Sequence, residues 1–451
     1  MTQPGQPTKS TNERSRKAVK GAWFGFYVDA FDIYLPVLAL APAMVYFTRG
    51  LSPAQTSIVA ALTFAATLVG RPIGALVLGH FSDTIGRRRI AVLSAWGFGV
   101  CTLLIGLLPG TEQVGGWGIA LLILLRTIDG FFLGGEYTAA TPLAIEQAAK
   151  NDRGRVGGII ASAFPAAYCT LAAVVFVVLK FVPAGDMQSP YTQWGWRILF
   201  FLGAVLAFAF AIWYTRSVEE SEAFEAAQEA KTTTTAPWRE LFRGDALKNF
   251  LQVFTMMTGA WLSANMLNAV MPSLLTKQAG LSSTQLTAVL VVANLITIGG
   301  YVMSGAISQK LGRRVTLIAG GAGVAIFAAL CLGFIAGGTI NGIVPLAILS
   351  TITALTVGIT FGIVPSYINE RFQTGVRASA YGLGYSLSIV IPAFYAFYQL
   401  GLANFMPSEY TPAALVVIGG ALTAVGAALG PETRNVDFPH DAREAAAETS
   451  Q

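Results

Sequence analysis

The stretch "GHFSDTIGRRR", from Gly79 to Arg89, lies between two long apolar segments and ends in three consecutive arginines. A similar pattern of glycine and arginine residues occurs 226 residues later in "GAISQKLGRR", from Gly305 to Arg314. Aligning the two copies superposes the Gly-Arg-Arg of one on the Gly-Arg-Arg of the other. A repeat at half-chain spacing indicates that the two halves of the chain are duplicates.

A second pair of positions repeats at nearly the same spacing. Glu146 is followed by Arg153 seven residues on, and Glu370 is followed by Arg377 seven residues on, with an offset of 224 between the copies. Parallel repeats of this kind are the architecture of a large transporter class, whose substrate site lies near the membrane midplane between the halves.

The composition excludes a soluble protein of this length. The chain has 451 residues, of which 54% are hydrophobic and only 12% are charged, whereas soluble domains carry roughly 25% charged residues. Apolar runs of about 20 residues are typical of membrane-spanning helices.

Hydropathy predicts an all-α integral membrane protein with twelve spans in two pseudo-symmetric six-helix halves. The expected spans are 21–46, 54–79, 90–109, 118–146, 156–182, 197–215, 249–275, 285–308, 315–336, 342–368, 378–403 and 411–430. The corresponding division is a cytosolic tail 1–20, an N-terminal half 21–216, a cytosolic linker 217–248, a C-terminal half 249–430 and a cytosolic tail 431–451.

The distribution of basic residues sets the expected orientation. With a cytosolic N-terminus, only three of the 29 basic residues fall in outside loops, namely Arg49, Lys180 and Lys277. This asymmetry is what the positive-inside rule requires. We therefore expect a multi-pass protein of the cell membrane with both termini in the cytoplasm.

The sequence gives no support for an enzyme, a metal site or a bound cofactor. The three cysteines lie in separate apolar spans, and the two histidines are far apart, so neither a disulfide framework nor metal-ligand spacing is present. No nucleophile elbow, P-loop or dinucleotide fingerprint occurs. The expected partners are a small-molecule substrate, protons and the lipid bilayer, without nucleic acid, and we expect a functional monomer.

The chain resembles the major facilitator superfamily of transporters over nearly all of its length. The loop after the second span resembles the superfamily signature G-x-x-x-D-x-x-G-R-[KR]-[KR], and "RTIDGFFLGGEYTAATPLAIE", "GWR" and "PETR" resemble sugar-porter-like members. "RPIGALVLGHFSD" and "LGGEY" are most similar to metabolite:proton symporters, whereas "DAFD" in the first span is closer to sialate and aromatic-acid carriers.

The resemblance implies a conformational latch on the cytosolic side. In the superfamily, this loop clasps neighbouring helix ends in the outward-open state. The residues that match it here, together with those of the repeated loops, are Gly79, Asp83, Gly86, Arg87, Glu146, Arg153, Arg313, Glu370 and Arg377. Gln309 stands where the first copy has Asp83, so the second latch should be the weaker one. Topology signalling alone is the simpler explanation of the arginines.

Ionisable residues inside the spans are functional candidates because each costs several kcal/mol at bilayer depth. Asp29 and Asp32 lie about 13–18 Å into the first span, three residues apart and on similar faces. The fourth span carries Arg126, Asp129 and Glu136 along one stripe.

Arg71 is a further charged residue far from the ends of a span, in this case the second span. We expect the four acids to handle protons, and Arg126 and Arg71 to contact substrate. In proton-coupled sugar porters, an Asp matching Asp32 and an Arg matching Arg126 form the coupling pair. A structural ion pair that only joins the two helices is the alternative.

The C-terminal half offers only neutral polar and aromatic groups within its spans. Trp261, Asn265 and Asn268 fit one helical face. With Tyr381 and Tyr385, they are the candidate substrate-binding residues of this half, although packing alone would also explain the tyrosines.

These patterns predict proton-coupled uptake of a small organic anion, such as a carboxylate, by alternating access. Symport of a zwitterion or a sugar, proton-driven export and a transporter-like sensor remain alternatives. The sensor would need neither the latch loops nor the glycine-rich spans. The sequence does not name the substrate or the direction of transport.

Overall fold

The computed structural model describes residues 9–220, 224, 241–373 and 376–438. Within these ranges every regular element is helical, and twelve long helices form two six-helix halves. Eleven of them are α1 Glu13–Ala43, α2 Ile58–Ile85, α3 Arg87–Gly106, α4 Trp117–Glu146, α5 Lys150–Phe181, α6 Tyr191–Ser217, α8 Ser283–Leu311, α9 Arg313–Ala336, α10 Ile343–Arg371, α11 Arg377–Leu402 and α12 Ser408–Ala428. Helix α7 runs through Gly244–Asn265, Met266–Val270 and Met271–Lys277.

The helices extend past the predicted spans at polar ends. Helical structure leading into α1 already begins at Lys9, before the Glu13 given above and well before residue 21, and α7 begins at Gly244 rather than at residue 249. Hydropathy detects only the apolar part of a helix, and charged turns continue it out of the bilayer. Most of the predicted linker and most of the predicted C-terminal tail lie outside the described residues.

Helices α2 and α4 approach closely through facing glycines. A Cβ added to Gly70 or Gly74 would overlap the backbone of α4, and one added to Gly130 or Gly134 would overlap the backbone of α2. Small residues permit such backbone contact between membrane helices. The two G-x-x-x-G patterns of the sequence therefore pack against one another.

The two halves meet along equivalent helix pairs. Helix α2 packs against α11, and helix α8 packs against α5. These contacts are related by the internal duplication, because α8 corresponds to α2 and α11 to α5. We call the end of the bundle at which α2 meets α3 the latch end.

The loops that join α2 to α3 and α8 to α9 have the same backbone geometry. Gly86 has φ +117° and Gly312 has φ +106°. This region is accessible to glycine at little steric cost. The repeated glycine of the signature is thus required by a sharp turn between consecutive helices.

Candidate functional site

A buried ion cluster joins α1 to α4. The Arg126 guanidinium donates from Nη1 to Asp32 Oδ2 at 2.7 Å, and the same nitrogen lies 2.9 Å from Asp129 Oδ2. Thr102 of α3 donates to Asp32 Oδ1 at 2.7 Å. All four side chains are buried. One arginine therefore faces two carboxylates in this cluster.

A second buried pair joins α1 to α2. Arg71 donates to Asp29 Oδ1, and its guanidinium carbon lies 5.4 Å from the centroid of the Tyr137 ring. Asp29 Oδ2 has no hydrogen-bond partner among the described residues. The remaining lone pairs of this carboxylate are thus available to a proton or to a group that enters the site.

Glu136 is a fully buried acid of α4. Neither carboxylate oxygen makes a hydrogen bond within the described part of the chain, and the side chain is fully buried. It occupies the space beside Gly25 and Phe210, where a Cβ on residue 25 would overlap the carboxylate. Burying an unpaired carboxylate is costly, so this group is suited to exist as the neutral acid.

A narrow central cavity of about 40 Å³ lies between the halves. Its walls are mainly apolar, about half of that apolar lining being aromatic, with a few neutral polar groups and no charged side chain among the described residues. The aromatic and polar side chains that line it are Phe26, Tyr34, Phe164, Trp261, Asn268, Asn294, Thr297, Tyr301, Phe361 and Tyr385.

The structure divides the predicted substrate-binding residues into two groups. Trp261, Asn268 and Tyr385 line the cavity, whereas Asn265 and Tyr381 do not. The Asn265 amide donates instead to the Pro392 carbonyl at 2.9 Å. Tyr381 is fully buried, with its ring stacked at 5.9 Å against Tyr385.

Arg71 and Arg126 also lie outside the cavity lining. Both are buried in ion pairs with α1, so neither contacts the cavity directly in this conformation. Arg71 is separated from it by two rings, because Tyr137 lies 5.4 Å from the Arg71 guanidinium and 5.1 Å from the Tyr385 ring. The expected contact between an arginine and a substrate in the cavity therefore requires movement of this aromatic layer.

We call the repeated stretches Gly79–Arg89 and Gly305–Arg314 the first and second latch loops. The first latch loop contacts the other half at the latch end. Asp83 of α2 accepts hydrogen bonds from the backbone N–H groups of Ala378 at 3.2 Å and Ser379 at 2.9 Å, and from the Ser379 hydroxyl at 2.8 Å. A carboxylate at the N-terminus of a helix is stabilised by the helix dipole and the unpaired N–H groups there. Gly79 permits this approach, since a Cβ there would lie within 3.4 Å of Thr138 and Ser379.

An ion-pair network supports this contact. Arg87 pairs with Glu146, and Glu146 also accepts from Arg377 of the other half. Arg87 Nη2 lies 3.9 Å from Asp83 Oδ1. The network thus extends from α2 and α3 through the end of α4 to the first residue of α11.

The second latch loop makes the related contacts with fewer charges. Arg313 donates to Glu370 through Nε at 3.1 Å and Nη2 at 2.9 Å. Gln309 accepts from the Gly154 N–H of α5 at 2.9 Å. Arg153 of α5 donates to the Val436 carbonyl at 2.8 Å. A neutral amide therefore takes the place of the carboxylate at the α8–α5 crossing.

Sequence reasoning missed two carboxylates that cap helix starts. Glu220 accepts from the backbone N–H groups of Arg87 and Arg88 at 3.1 and 3.0 Å. Glu432 accepts from those of Arg313 and Arg314 at 2.8 and 3.1 Å. The "PETR" motif signals the second position, but nothing in the sequence places the first carboxylate at the start of α3. The aromatic residues Phe26, Tyr34 and Tyr137 were also missed, because aromatic residues in apolar spans resemble ordinary packing.

Comparison with known proteins gives the family. The model of the Major Facilitator Superfamily matches residues 22–396. The Escherichia coli (strain K12) shikimate transporter is 34% identical over 230 residues, which is 50% of this chain and 51% of that protein. The chain thus matches about half the length of that relative.

A match of wider coverage is the proline/betaine transporter of Salmonella typhimurium, 26% identical over 438 residues, covering 92% of this chain and 84% of that protein. Among solved structures, the proton:xylose symporter XylE bound to 6-bromo-6-deoxy-D-glucose superposes with a TM-score of 0.75 at 16% identity, covering 93% and 95% of the two chains. With this fold, repeated latch loops and twelve helices, the chain belongs to the major facilitator superfamily and is a multi-pass membrane transporter, not an enzyme.

Proposed function

We propose that the protein couples proton entry to the uptake of a small organic anion that carries a carboxylate. The observation that carries this proposal is the separation of charge between the halves. The N-terminal half holds Arg71 and Arg126 with their acidic neighbours inside its helices, whereas Trp261, Asn268 and Tyr385 of the C-terminal half line the cavity. The charged groups suited to proton handling then lie in the N-terminal half, and the C-terminal half contributes neutral polar and aromatic groups to the cavity.

Asp32 is the first candidate for the coupling proton. Its carboxylate is bound by Arg126 and Thr102, and protonation would weaken the ion pair and allow Arg126 to turn fully towards Asp129. Two acids share one arginine, so gain of a proton by one of them changes the charge of the cluster by one unit. Such a change can bias two conformations that expose the cluster differently.

Glu136 and Asp29 are the candidates for a second proton position. The Glu136 carboxyl has no hydrogen-bond partner among the described residues and is suited to hold a proton in this conformation. Asp29, next to Arg71, has one oxygen without a partner in the same part of the chain. Four buried acids face two buried arginines if all are ionised. At least one acid is therefore expected to be neutral at some point of the cycle.

The substrate carboxylate is assigned to Arg71 rather than to Arg126. The Tyr137 and Tyr385 rings connect Arg71 to the cavity, and a planar guanidinium matches a carboxylate bidentately. Trp261 and Asn268 would contact the remainder of the substrate. Movement of the two tyrosines would connect substrate binding to the Arg71–Asp29 pair.

The latch loops would regulate access to the cavity. The contacts of Asp83 and Gln309 hold the latch end closed. If the latch end is cytoplasmic, this closure supports an outward-facing conformation. That orientation follows from the distribution of basic residues, with both termini in the cytoplasm and the protein in the cell membrane. We expect the monomer to contain the complete transport path between segments 21–216 and 249–430.

A zwitterion or a sugar is the second candidate substrate. The cavity has no charged lining side chain among the described residues, and Trp261 lies 5.0 Å from Tyr385 and 5.1 Å from Phe361, ring to ring. Aromatic faces bind substituted ammonium groups through cation–π attraction. The similarity to the proline/betaine transporter also supports this alternative.

A counterflow screen in proteoliposomes tests both candidates. Vesicles preloaded with one unlabelled compound are offered the same compound labelled, across carboxylates, zwitterions and sugars. Compounds that exchange are then tested for accumulation under an imposed inward or outward pH gradient. Exchange of carboxylates, with accumulation on the alkaline side of the membrane, supports the proposal. Accumulation on the acidic side indicates proton-driven export. Exchange confined to betaine-like compounds or sugars contradicts the anion assignment.

A further inference from the structure

The chain that follows α12 remains at first with its own half. The Thr433 hydroxyl donates to Glu370 Oε2 at 2.7 Å, and the Arg434 guanidinium donates to the Lys310 carbonyl at 2.5 Å. Both partners lie at the latch end of the C-terminal half. This part of the tail is therefore fixed to α8 and α10.

The next residues cross to the N-terminal half. The Val436 carbonyl accepts from Arg153 Nη1 at 2.8 Å, and Asp437 forms an ion pair with Lys150. Arg153 and Lys150 lie at the start of α5. Glu432 caps the start of α9, and a few residues later the tail is thus bound to the opposite half.

Phe438 lies between two arginines that belong to different halves. Its ring centroid is 3.6 Å from the guanidinium carbon of Arg153 and 4.0 Å from that of Arg377. The side chain is only 1% exposed. A guanidinium plane stacks favourably on an aromatic face, so one ring connects the start of α5 to the start of α11.

We propose that Asp437 and Phe438 form a clasp that stabilises the conformation with a closed latch end. The ring can contact both arginines only while the starts of α5 and α11 are close together. Opening of this end separates the halves, so Phe438 loses at least one guanidinium and becomes hydrated. A contact that exists in only one conformation shifts the equilibrium towards that conformation.

The clasp acts independently of the transported compound. It rests on the rocking of two halves, which is a property of the fold, and not on the identity of the substrate or on proton coupling. It adds to the Asp83 latch from a segment outside the twelve helices. Its removal is expected to favour opening of the latch end without altering the cavity.

Distance measurements between spin labels test the clasp. Cysteines are introduced at the exposed positions Arg89 and Gln373, one in each half, in a full-length chain whose three native cysteines are replaced by serine. Phe438→Ala is expected to increase the ratio of open to closed latch end roughly tenfold, which corresponds to about 1.4 kcal/mol. An unchanged distance distribution in Phe438→Ala overturns the proposal.

Three further variants distinguish stacking from other effects. Phe438→Trp retains an aromatic face and is expected to preserve the parent distribution, whereas Phe438→Leu is expected to behave like the alanine variant. If leucine preserves closure as well as tryptophan, guanidinium stacking is not what holds the clasp. Phe405→Ala, at an 88% exposed position far from the tail, is the matched control and should leave the distribution unchanged.

Asp437→Ala covers the case in which Phe438→Ala does not fold. Asp437 is largely exposed, so its loss is not expected to affect folding. It should shift the ratio in the same direction by roughly twofold, because exposed ion pairs contribute little. A shift towards the closed form would overturn the clasp.

Discussion

At the scale of single residues, Asp32 is distinguished by the number of polar groups that bind it inside the membrane. Arg126 and Thr102 occupy its two oxygens, and Asp129 competes for the same arginine nitrogen. Replacement of Asp32 by asparagine keeps the shape and the acceptor oxygen but removes the ionisation. The substitution therefore separates coupling from packing.

Asp32→Asn is expected to abolish accumulation driven by a pH gradient while sparing exchange. One proton moved across 100 mV is worth about 2.3 kcal/mol, enough for an accumulation ratio of roughly 50-fold. The variant should bring this ratio close to one, with counterflow within about twofold of the parent. Both quantities are measured in the same proteoliposomes.

The control for this substitution is Asp186→Asn, in an exposed loop, which should transport normally. Undiminished accumulation by Asp32→Asn would remove this residue from the coupling mechanism. Loss of both accumulation and exchange would instead favour the structural ion pair between α1 and α4.

Arg71→Lys is expected to raise the KM for a transported carboxylate more than Arg126→Lys does. Lysine keeps the charge but loses the planar fork, and Arg71 lies against the Tyr137 ring, which contacts the cavity residue Tyr385. A roughly tenfold rise in KM corresponds to the loss of about 1.4 kcal/mol. Arg89→Lys, at an exposed position, is the control.

Initial rates over a range of substrate concentrations give the KM values. If both buried variants keep the parent affinity for every transported carboxylate, the anion contact is refuted. A larger effect at Arg126 than at Arg71 would show that the carboxylate reaches the α1–α4 cluster instead.

At the scale of helices, the α2–α4 contact holds both charged clusters in position. Arg71 lies on α2 between Gly70 and Gly74, and Arg126 lies on α4 one turn before Gly130. The backbones touch at these glycines. The separation of the two arginines is therefore fixed by backbone contact rather than by side-chain packing.

Gly74→Ala is expected to destabilise the protein because its Cβ would overlap the Phe131 carbonyl. Overpacking of this kind costs about 1–3 kcal/mol. Thermal unfolding in detergent should occur at a lower temperature than in the parent. Gly299→Ala is the matched control, since a Cβ at that helical position meets nothing within 4 Å. Equal melting temperatures for the two variants would contradict backbone contact at Gly74.

At the scale of the whole molecule, the two halves contact each other at the latch end through two unequal sets of hydrogen bonds. Asp83 accepts three hydrogen bonds at the start of α11. Gln309 makes two with α5, because it accepts from the Gly154 N–H and donates to the Lys150 carbonyl at 3.4 Å. Hydrogen bonds to a charged acceptor contribute about 1.5–3 kcal/mol, against 0.5–1.5 kcal/mol for neutral pairs. The first latch should therefore dominate.

Asp83→Ala is expected to shift the equilibrium towards an open latch end by roughly tenfold or more, and Gln309→Ala by a smaller factor. Accessibility of engineered cysteines to impermeant reagents from each side of the membrane measures the shift. Equal shifts for the two variants would contradict the asymmetry of the latches. Lost transport with unchanged accessibility would indicate a role in folding or insertion.

The sequence by itself determined the family, the twelve helices and their duplication. Apolar runs separated by charged loops leave few alternatives to membrane helices, and the repeated glycine and arginine positions reflect a turn and a helix start that occur twice. The acids and arginines inside the spans were identifiable because charge is rare and costly at that depth. The pairing partners Asp32 and Arg126 were named from the resemblance.

Only the tertiary structure decided which of these residues share a surface. Asn265 and Asn268 are three residues apart on one helix face, yet one is bonded to the Pro392 carbonyl and the other lines the cavity. Arg71 and Arg126 are buried behind other side chains rather than exposed to the cavity. The physical reason is that such contacts depend on neighbouring helices distant in sequence, whereas hydropathy and charge act locally along the chain.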